Sequence, residues 1–486
     1  MRSLLGVLHI FGSLLAWFGL FFLLPILAAM IYGEFGALRG FVIGALISVL
    51  GGLLLRALCA RYPYDLKPRD AYLLVTVSWL TIAAVATAPL LIDLPGLTFT
   101  KAYFESMSGL STTGSTVLVG LDELPHAVNL WRHELSWLGG MGIIVLAVAI
   151  LPMLGVGGLQ LYRAGAPGFV KDRKLAPRIS ATAKSLGLVY GALTLACTIC
   201  LWAAGMSLFD AICHAFSTLA LGGFSTHDAN IAYFHSPLIE MLLMVFMLIA
   251  ALNFATHFLA LRKGDFSVYR RDPEARWMLL LIFASCIAIS AFLSLKHVYA
   301  NYGSSLRYAA FNVISMATDS GFYNTDYGSW PIFAPLWMLF LGSLCSCTGS
   351  TGGGIRMFRS LILIKQSLRE MFTLVHPRAM VPLKISGQVV PHGVVNSVLA
   401  FIFLYFMTIV VLTFVLLISG MDFLSAFSAI VACVNNAGPG LNRVGPAGHY
   451  SVLTDFQSWT CVAGMFLGRV QIITFAVLFT PTFWRK

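Results

Sequence analysis

The sequence predicts an all-α polytopic membrane protein. Four pseudo-symmetric units of helix, re-entrant pore loop and helix are expected around a central pore, preceded by two N-terminal transmembrane helices. Three observations lead there. The 486-residue chain is 58% hydrophobic and only 10% charged, against about 25% charge in ordinary soluble domains, and its mean hydropathy is +0.85. Apolar runs near the roughly 20 residues that cross a bilayer recur throughout. One short motif occurs four times, each copy between two such runs.

The first run, from Leu4 to about Ile31, is too long for a signal-peptide core and lacks a clear small-residue cleavage site, so it is expected to remain as a helix. With the next run it makes an N-terminal pair over residues 1–69. The units then follow as 70–160, 161–262, 263–390 and 391–486. Their first helices are expected near 71–92, 186–206, 277–298 and 393–419. Their second helices are expected near 135–155, 237–261, 335–364 and 456–480, with only the third interrupted.

The net charge of +11 raises the question of nucleic acid. Its distribution answers it. Of the 31 Lys and Arg, 24 fall at Arg2 and in 56–69, 163–184, 262–276, 356–384 and 485–486. These stretches alternate with apolar runs, the positive-inside pattern, which places them and both termini in the cytoplasm and excludes a nucleic-acid partner. Thirteen of the 20 acidic residues fall on the other side or in the re-entrant segments. An acidic outer face concentrates cations. The nine cysteines show no zinc-ligand spacing and read as small buried hydrophobes.

The four copies align without gaps. They are "AYFESMSGLSTTGST" from Ala102, "AICHAFSTLALGGFS" from Ala211, "AAFNVISMATDSGFY" from Ala309 and "AFSAIVACVNNAGPG" from Ala426. Each carries glycine twelve residues after its alanine: Gly114, Gly223, Gly321 and Gly438. Each copy is too short to span, and the charge pattern puts both its ends outside, so it must dip in and return. Non-helical backbone at that depth survives only when buried in protein or lining a watery cavity. Gathered about one axis, Thr112–Thr113–Gly114, Leu221–Gly222–Gly223, Asp319–Ser320–Gly321 and Asn436–Ala437–Gly438 share no side-chain chemistry. They share the glycine, which admits backbone conformations closed to other residues. Rings of carbonyl oxygens built this way replace the hydration shell of a monovalent cation. Asp210 and Asp422, near the starts of two of the short helices, suit N-caps. The "GGMG" of Gly139–Gly142 suits close helix packing.

Two features depart from the repeat. "CTGSTGGGIR", residues 347–356, places Gly349, Gly352, Gly353 and Gly354 inside the second helix of the third unit. It lacks the Lys-Ser/Thr pair of a nucleotide P-loop and reads as a gating loop. Arg469 lies within the last span with no acid nearby in sequence. An intramembrane charge costs at least about 2.5–3.5 kcal/mol and marks function by default. Below a cation filter it would set an electrostatic barrier.

With these motifs in view, the chain resembles the membrane subunits of the bacterial Trk potassium-uptake system (TrkH/TrkG), in the Trk/Ktr/HKT superfamily. "SGLSTTGSTVLVGLDELPHA", "GGMGIIVLAVAILP", "GGFSTHDA", "GSTGGG", "NNAGPGL" and "LFTPTFWRK" carry the resemblance across nearly the whole chain. It implies potassium as the transported ion, no cofactor on this chain, a homodimer in the inner membrane with one pore per protomer, and a cytosolic nucleotide-binding regulator, TrkA-like. It implies that Arg469 lies close to the glycine-rich loop and closes the path beneath the filter with it. Glycine in all four filters is the family's potassium-type pattern. This chain departs at Asp319, where the family usually has a small neutral residue, and at Gln471, where it often has Glu. Asp319 is expected behind the filter in a hydrogen bond, since a fixed charge within it would hold the ion too tightly. Gln471 would weaken any charge network there.

Two other classes share some of these features. A proton- or sodium-coupled secondary transporter also uses broken helices, but it usually shows two repeats, and Glu105 and Asp319 are the main candidates for a proton relay. An enzyme would need a catalytic set. There is no HExxH and no Ser/His/Asp arrangement, and Glu105 and His214 occupy the same repeat position in different units.

Overall fold

The computed structural model describes residues 2–60, 68–145, 176–385 and 387–484. It is helical throughout, apart from a two-stranded antiparallel hairpin pairing Lys384–Ile385 with Gln388–Val389. Among the described residues six helices are long and apolar enough to cross a bilayer: Leu4–Ile31, Phe35–Cys59, Asp70–Asp93, Ala183–Ala203, Pro273–Leu295 and His392–Ile418. The first runs on through one 3-10 turn at Gly19–Phe22. The pair it forms with Phe35–Cys59 is drawn close by small residues. A Cβ on Gly12 would lie 2.7 Å from the Gly52 carbonyl oxygen, and one on Gly44 would lie 2.5 Å from the ring of Phe22.

The other four spans each lead into a shorter helix: Phe99–Leu110, Leu208–Ala220, Tyr302–Ala317 and Phe423–Asn435. The sequence starts each of them with a side-chain cap. Thr98, Ser207, Asn301 and Asp422 accept the backbone N–H of Lys101, Asp210, Ser304 and Ser425. Asp422 is thus the expected cap. Asp210 is not, because Ser207 stands three residues before it and takes that role. The Asp210 carboxylate instead accepts the Ser207 hydroxyl at 2.7 Å and supplies negative charge in the first turn. Three caps stand sixteen residues before the repeat glycine and Asn301 stands twenty before, so the third short helix is one turn longer.

The second helices pack against the C-terminal ends of the short ones. Glycine makes this possible in three units. A Cβ on Gly139 would strike the Leu110 carbonyl, one on Gly468 the Val434 carbonyl, and one on Gly342 would lie 2.8 Å from the Met316 carbonyl. The packing expected of "GGMG" is present.

The expectation that only the third second-helix is interrupted fails. In the second unit Pro237–Ala251 and Phe254–Lys263 meet at 96°, and in the fourth Asp455–Val470 and Ile472–Phe479 meet at 102°. The causes are local. Asn253 adopts extended backbone and caps a new helix by accepting the Ala255 N–H at 2.8 Å. Gln471 has φ +65°, a left-handed conformation that ends the helix after Val470. In the third unit the break between Phe333–Leu344 and Met357–Val375 covers residues 345–356. In the first, His126–Val145 reaches the end of the described residues. The rest of its expected second helix, the 160/161 unit boundary and most of the 163–184 basic stretch lie outside them.

Candidate functional site: four loops and the stretch beneath them

All four short helices end the same way. The residue two before the repeat glycine is left-handed in every copy: Thr112 at φ +56°, Leu221 at +55°, Asp319 at +63° and Asn436 at +58°. Such values are uncommon outside glycine. They are stabilised by matching bonds at the helix end. The next N–H donates to the carbonyl five residues back: Thr113 to Ser108, Gly222 to Ser217 and Ser320 to Ser315 at 2.8 Å, and Ala437 to Ala432 at 2.9 Å. The glycine is left-handed again, at +79°, +62°, +80° and +86°. Four unlike sequences thus fold into one backbone shape.

The loops also close on one another. A Cβ on Gly114 would strike the Gly222 carbonyl oxygen, and one on Gly223 the Ser320 carbonyl oxygen. One on Gly321 would lie 2.6 Å from the Ala437 oxygen, and one on Gly438 2.9 Å from the Thr113 oxygen. Each glycine faces the residue just before the glycine of the next copy, and the fourth faces the first. This is a closed ring of four about one axis. Among the described residues the carbonyls of Thr112, Thr113, Leu221, Gly222, Asp319, Ser320, Asn436 and Ala437 accept no hydrogen bond. Buried carbonyls are normally paired. The third tier is partly used, since Gly438 accepts from Ser115 and Tyr450, and Gly223 from Asn230.

Behind each loop a polar strap ties the short helix to the outgoing chain. Glu105 accepts the Val117 N–H at 2.9 Å, His214 Nε2 bonds Ser225 Oγ at 2.9 Å, and Asn312 Nδ2 donates to Asn324 at 2.7 Å. In the fourth unit, where alanine holds that position, Ser428 one residue earlier accepts the Leu441 N–H at 2.8 Å. The positions shared by Glu105 and His214 therefore serve as braces. Glu105 is also ion-paired with Arg132, Nε to Oε1 at 2.7 Å, with both side chains almost wholly buried. Arg132 reaches on to the Ser225 carbonyl at 3.3 Å and so couples the first loop to the second. Losing one partner of such a pair costs about 3–5 kcal/mol. Glu105→Gln should accordingly lower the thermal unfolding midpoint sharply in detergent, and Arg132→Met alone should do no better. A Glu105→Gln midpoint within a degree of the parent would show that the brace is dispensable.

Outside the ring a small cavity of about 40 Å³ is lined by Gly114, Gly223, Gly321, Asp228, His227 and His449 among others. His227 bonds Asp122 through Nδ1, lies 3.5 Å from Asp210 through Nε2 and stacks on Tyr233. Burial pushes its pKa down, but the bonds to Asp210 and Asp122 outweigh this and leave it raised. Burial likewise raises Asp122, and the His227 bond more than offsets it, so its pKa is lowered. The histidine's contribution is complete below its ordinary value of about 6.5 and is lost as pH rises through the raised one. The aspartate's is complete above about 3.9 and is lost as pH falls through the lowered one. With Asp122 substantially exposed, the whole effect stays within about 1 kcal/mol. The stability difference between the parent and His227→Gln should be largest near pH 5–6 and shrink above neutrality. A difference that does not change with pH would refute the clamp.

On the other side of the ring lies the glycine-rich stretch. Gly349 (φ +83°), Gly354 (φ +67°) and Arg356 (φ +75°) prevent a helix there. The stretch is held from three sides. Cys347 N–H donates to Ala251 and Phe254 N–H to Gly349, each at 3.1 Å, using backbone groups freed by the break in the second unit. Thr351 Oγ1 donates to the Leu219 carbonyl at 3.1 Å, and Thr348 N–H to Glu274 at 2.7 Å. A Cβ on Gly353 would strike the Asn435 carbonyl, and one on Gly352 the Ser346 hydroxyl. Asp319 is hydrogen-bonded as expected, but to the stretch beneath its loop, its Oδ2 accepting from Ser346 Oγ at 2.8 Å and from Gly353 N–H at 3.1 Å. Arg469 donates to the Thr351 carbonyl at 2.8 Å and to the Gly139 carbonyl at 3.1 Å. The "GGMG" glycine is therefore a ligand of the arginine as well as a packing contact.

Some participants are not evident from sequence patterns. Arg356 and Arg359, counted above among cytoplasmic charges, are buried. Arg359 lies over Phe401 with its guanidinium 3.8 Å from the ring centre and donates to Gln471 Oε1 at 3.0 Å. Gln471 thus accepts one arginine bond without carrying charge. Two arginines three residues apart directly after a glycine run were the available signal. Glu274, in the first turn of Pro273–Leu295, gave none.

Fold and loop ring together define a polytopic membrane transport protein. Residues 38–486 match the family model described as TrkH, cation transport protein. The chain is 44% identical over 99% of both lengths to the Trk system potassium uptake protein TrkH of Vibrio parahaemolyticus. It is 43% identical to TrkH of Escherichia coli K12, again over 99% of each, and 38% identical to TrkG of that organism over 99% of this chain and 98% of that one. The crystal structure of the potassium transporter TrkH from Vibrio parahaemolyticus superposes with a TM-score of 0.91 at 41% identity, covering 100% of this chain and 99% of the other. The chain belongs to the TrkH family.

Proposed function

We propose that this protein is the membrane subunit of a bacterial potassium-uptake system and carries K+ inward through a channel-like pore. One observation carries the reading: four loops closed into a ring, with two tiers of buried carbonyls that take no hydrogen bond from the described protein. Oxygens in that state suit a partly dehydrated monovalent cation. The filter is then Thr112–Gly114, Leu221–Gly223, Asp319–Gly321 and Asn436–Gly438. Its unlike side chains are consistent with selection by backbone, and the family resemblance supports potassium. The four units divide at 70, 161, 263 and 391.

Beneath the filter, Gly349–Gly354 and Arg469 form the gate. A cytosolic nucleotide-binding regulator opens it by acting on the flanking helices, in a homodimer in the inner membrane with both termini cytoplasmic. A proton-coupled mechanism is disfavoured by Glu105, which is committed to Arg132. The test is flux into liposomes with potassium, sodium and proton gradients imposed separately. Potassium should run down its own gradient and ignore the other two. Uphill potassium movement driven by protons or sodium would replace the channel reading with coupled transport.

A further inference from the structure

The residue at one repeat position does something in the third unit that its counterparts do not. Leu221 has no polar atom in its side chain, and Asn436 donates to Thr113 and to the Met465 carbonyl. Asp319 reaches down instead. Its backbone is part of the third filter loop, immediately before the Ser320 carbonyl that faces Gly223. Its Oδ2 accepts two bonds from the stretch below, one from the Ser346 hydroxyl and one from the Gly353 N–H. Its Oδ1 has no hydrogen-bond partner among the described residues and lies 2.9 Å from where a Cβ on Gly342 would be. Ser346 in turn accepts the Met357 N–H through its carbonyl at 2.8 Å, so it sits at the root of the helix that follows.

We propose that Asp319 is a positioning residue that couples gate to filter, so that moving the glycine-rich stretch relaxes the third filter loop and loosens ion selection. The proposal rests on the filter and gate reading above and goes beyond it by joining the two through one carboxylate. The physical reason is that both bonds end on a single buried oxygen. Withdrawing residues 346–353 would leave that carboxylate with neither donor, and a buried carboxylate without donors is strongly unfavourable. A carboxylate drawn after its departing donors would pull on its own left-handed backbone. The loop at φ +63° then loses the geometry shared with the other three. Among the described residues Leu221 and Asn436 make no such bond to the stretch, so the third loop should be the one that changes.

Ser346 gives the cleanest test, because it lies outside the filter. In liposomes without the regulator, Ser346→Ala should raise potassium flux and lower the preference for potassium over sodium, both measured by tracer competition. Asp319→Ala should do the same more strongly, by about tenfold in flux. The double variant should match Asp319→Ala alone, since both act through one oxygen. If Ser346→Ala raises flux with an unchanged ion preference, or if the two effects multiply, the coupling is wrong. Deleting 349–354 separates the proposal from the reading beneath it. No gain in flux would remove the gate reading itself. A gain with intact selectivity would remove only the coupling. Should Asp319→Ala not fold, Ser346→Ala and the deletion still decide.

Discussion

Gly114→Ala should reduce potassium uptake by at least about tenfold, with the protein still inserted in the membrane. Two effects act together. The backbone at φ +79° is one that alanine adopts only with strain, and the new Cβ would land on the Gly222 carbonyl oxygen. That oxygen belongs to the neighbouring loop of the ring, so the strain is relieved by displacing the ring itself. Gly120 provides the control. It is also left-handed, at +75°, but has open space where a Cβ would go. Gly120→Ala carries the backbone strain alone, about 1–2 kcal/mol, and should leave uptake nearly intact. The four ring glycines should rank by contact. Gly114 and Gly223 are the most crowded, Gly321 follows at 2.6 Å, and Gly438 at 2.9 Å is the most tolerant. Uptake measured in cells lacking their own potassium transporters, with membrane abundance checked by immunoblot, gives the order. Equal losses at Gly114 and Gly120 would mean that backbone strain, and no ring, explains the glycines.

Much of this was legible because it depends on period and spacing. Apolar runs, positive-inside charge and a gapless repeat lead to the spans and to the loops between them. Of the two N-caps read from sequence, Asp422 is one and Asp210 is not, although Thr98, Ser207 and Asp422 stand at one offset before the repeat glycine. The breaks at Leu252–Asn253 and at Gln471 were not visible, because nothing in either stretch forbids helix. Asn253 ends one by choosing to cap the next, and its side chain also faces Gly349, where a Cβ would come within 2.7 Å of Oδ1. The break in the second unit exists to receive the loop of the third, which is a tertiary cause without a local signature. Arg356 and Arg359 were misplaced for a related reason. A count of charges assigns a side of the membrane but does not separate an arginine in water from one packed on Phe401.

The glycine-rich stretch is therefore best understood as a part held by its neighbours. It borrows free backbone groups from the second unit, a carboxylate from the third and an arginine from the fourth. None of those bonds requires the stretch to be helical, and three left-handed residues prevent it. A segment held by a few discrete polar contacts is released by breaking those contacts, and the helix Met357–Val375 begins directly at its end.

Arg469→Ala should raise potassium flux in regulator-free liposomes by about tenfold or more, the second large effect expected here. Arg469 is 2% exposed, and among the described residues no carboxylate lies within ion-pair distance of it. Among the described residues its hydrogen bonds go to two carbonyls, those of Thr351 and Gly139. It fastens the glycine-rich stretch to the first unit, and on the proposed reading it also presents positive charge to a cation descending from the ring. Alanine removes both. The two roles separate on substitution. Arg469→Lys keeps the charge but loses the paired geometry that a guanidinium offers, whereas Arg469→Gln keeps a donor and loses the charge. If electrostatic repulsion dominates, Gln should leak nearly as much as Ala, and Lys should stay closed. If the latch dominates, Lys should leak. A folded Arg469→Ala protein with unaltered flux would show that neither role limits conduction, and the closure beneath the ring would have to be sought in other residues.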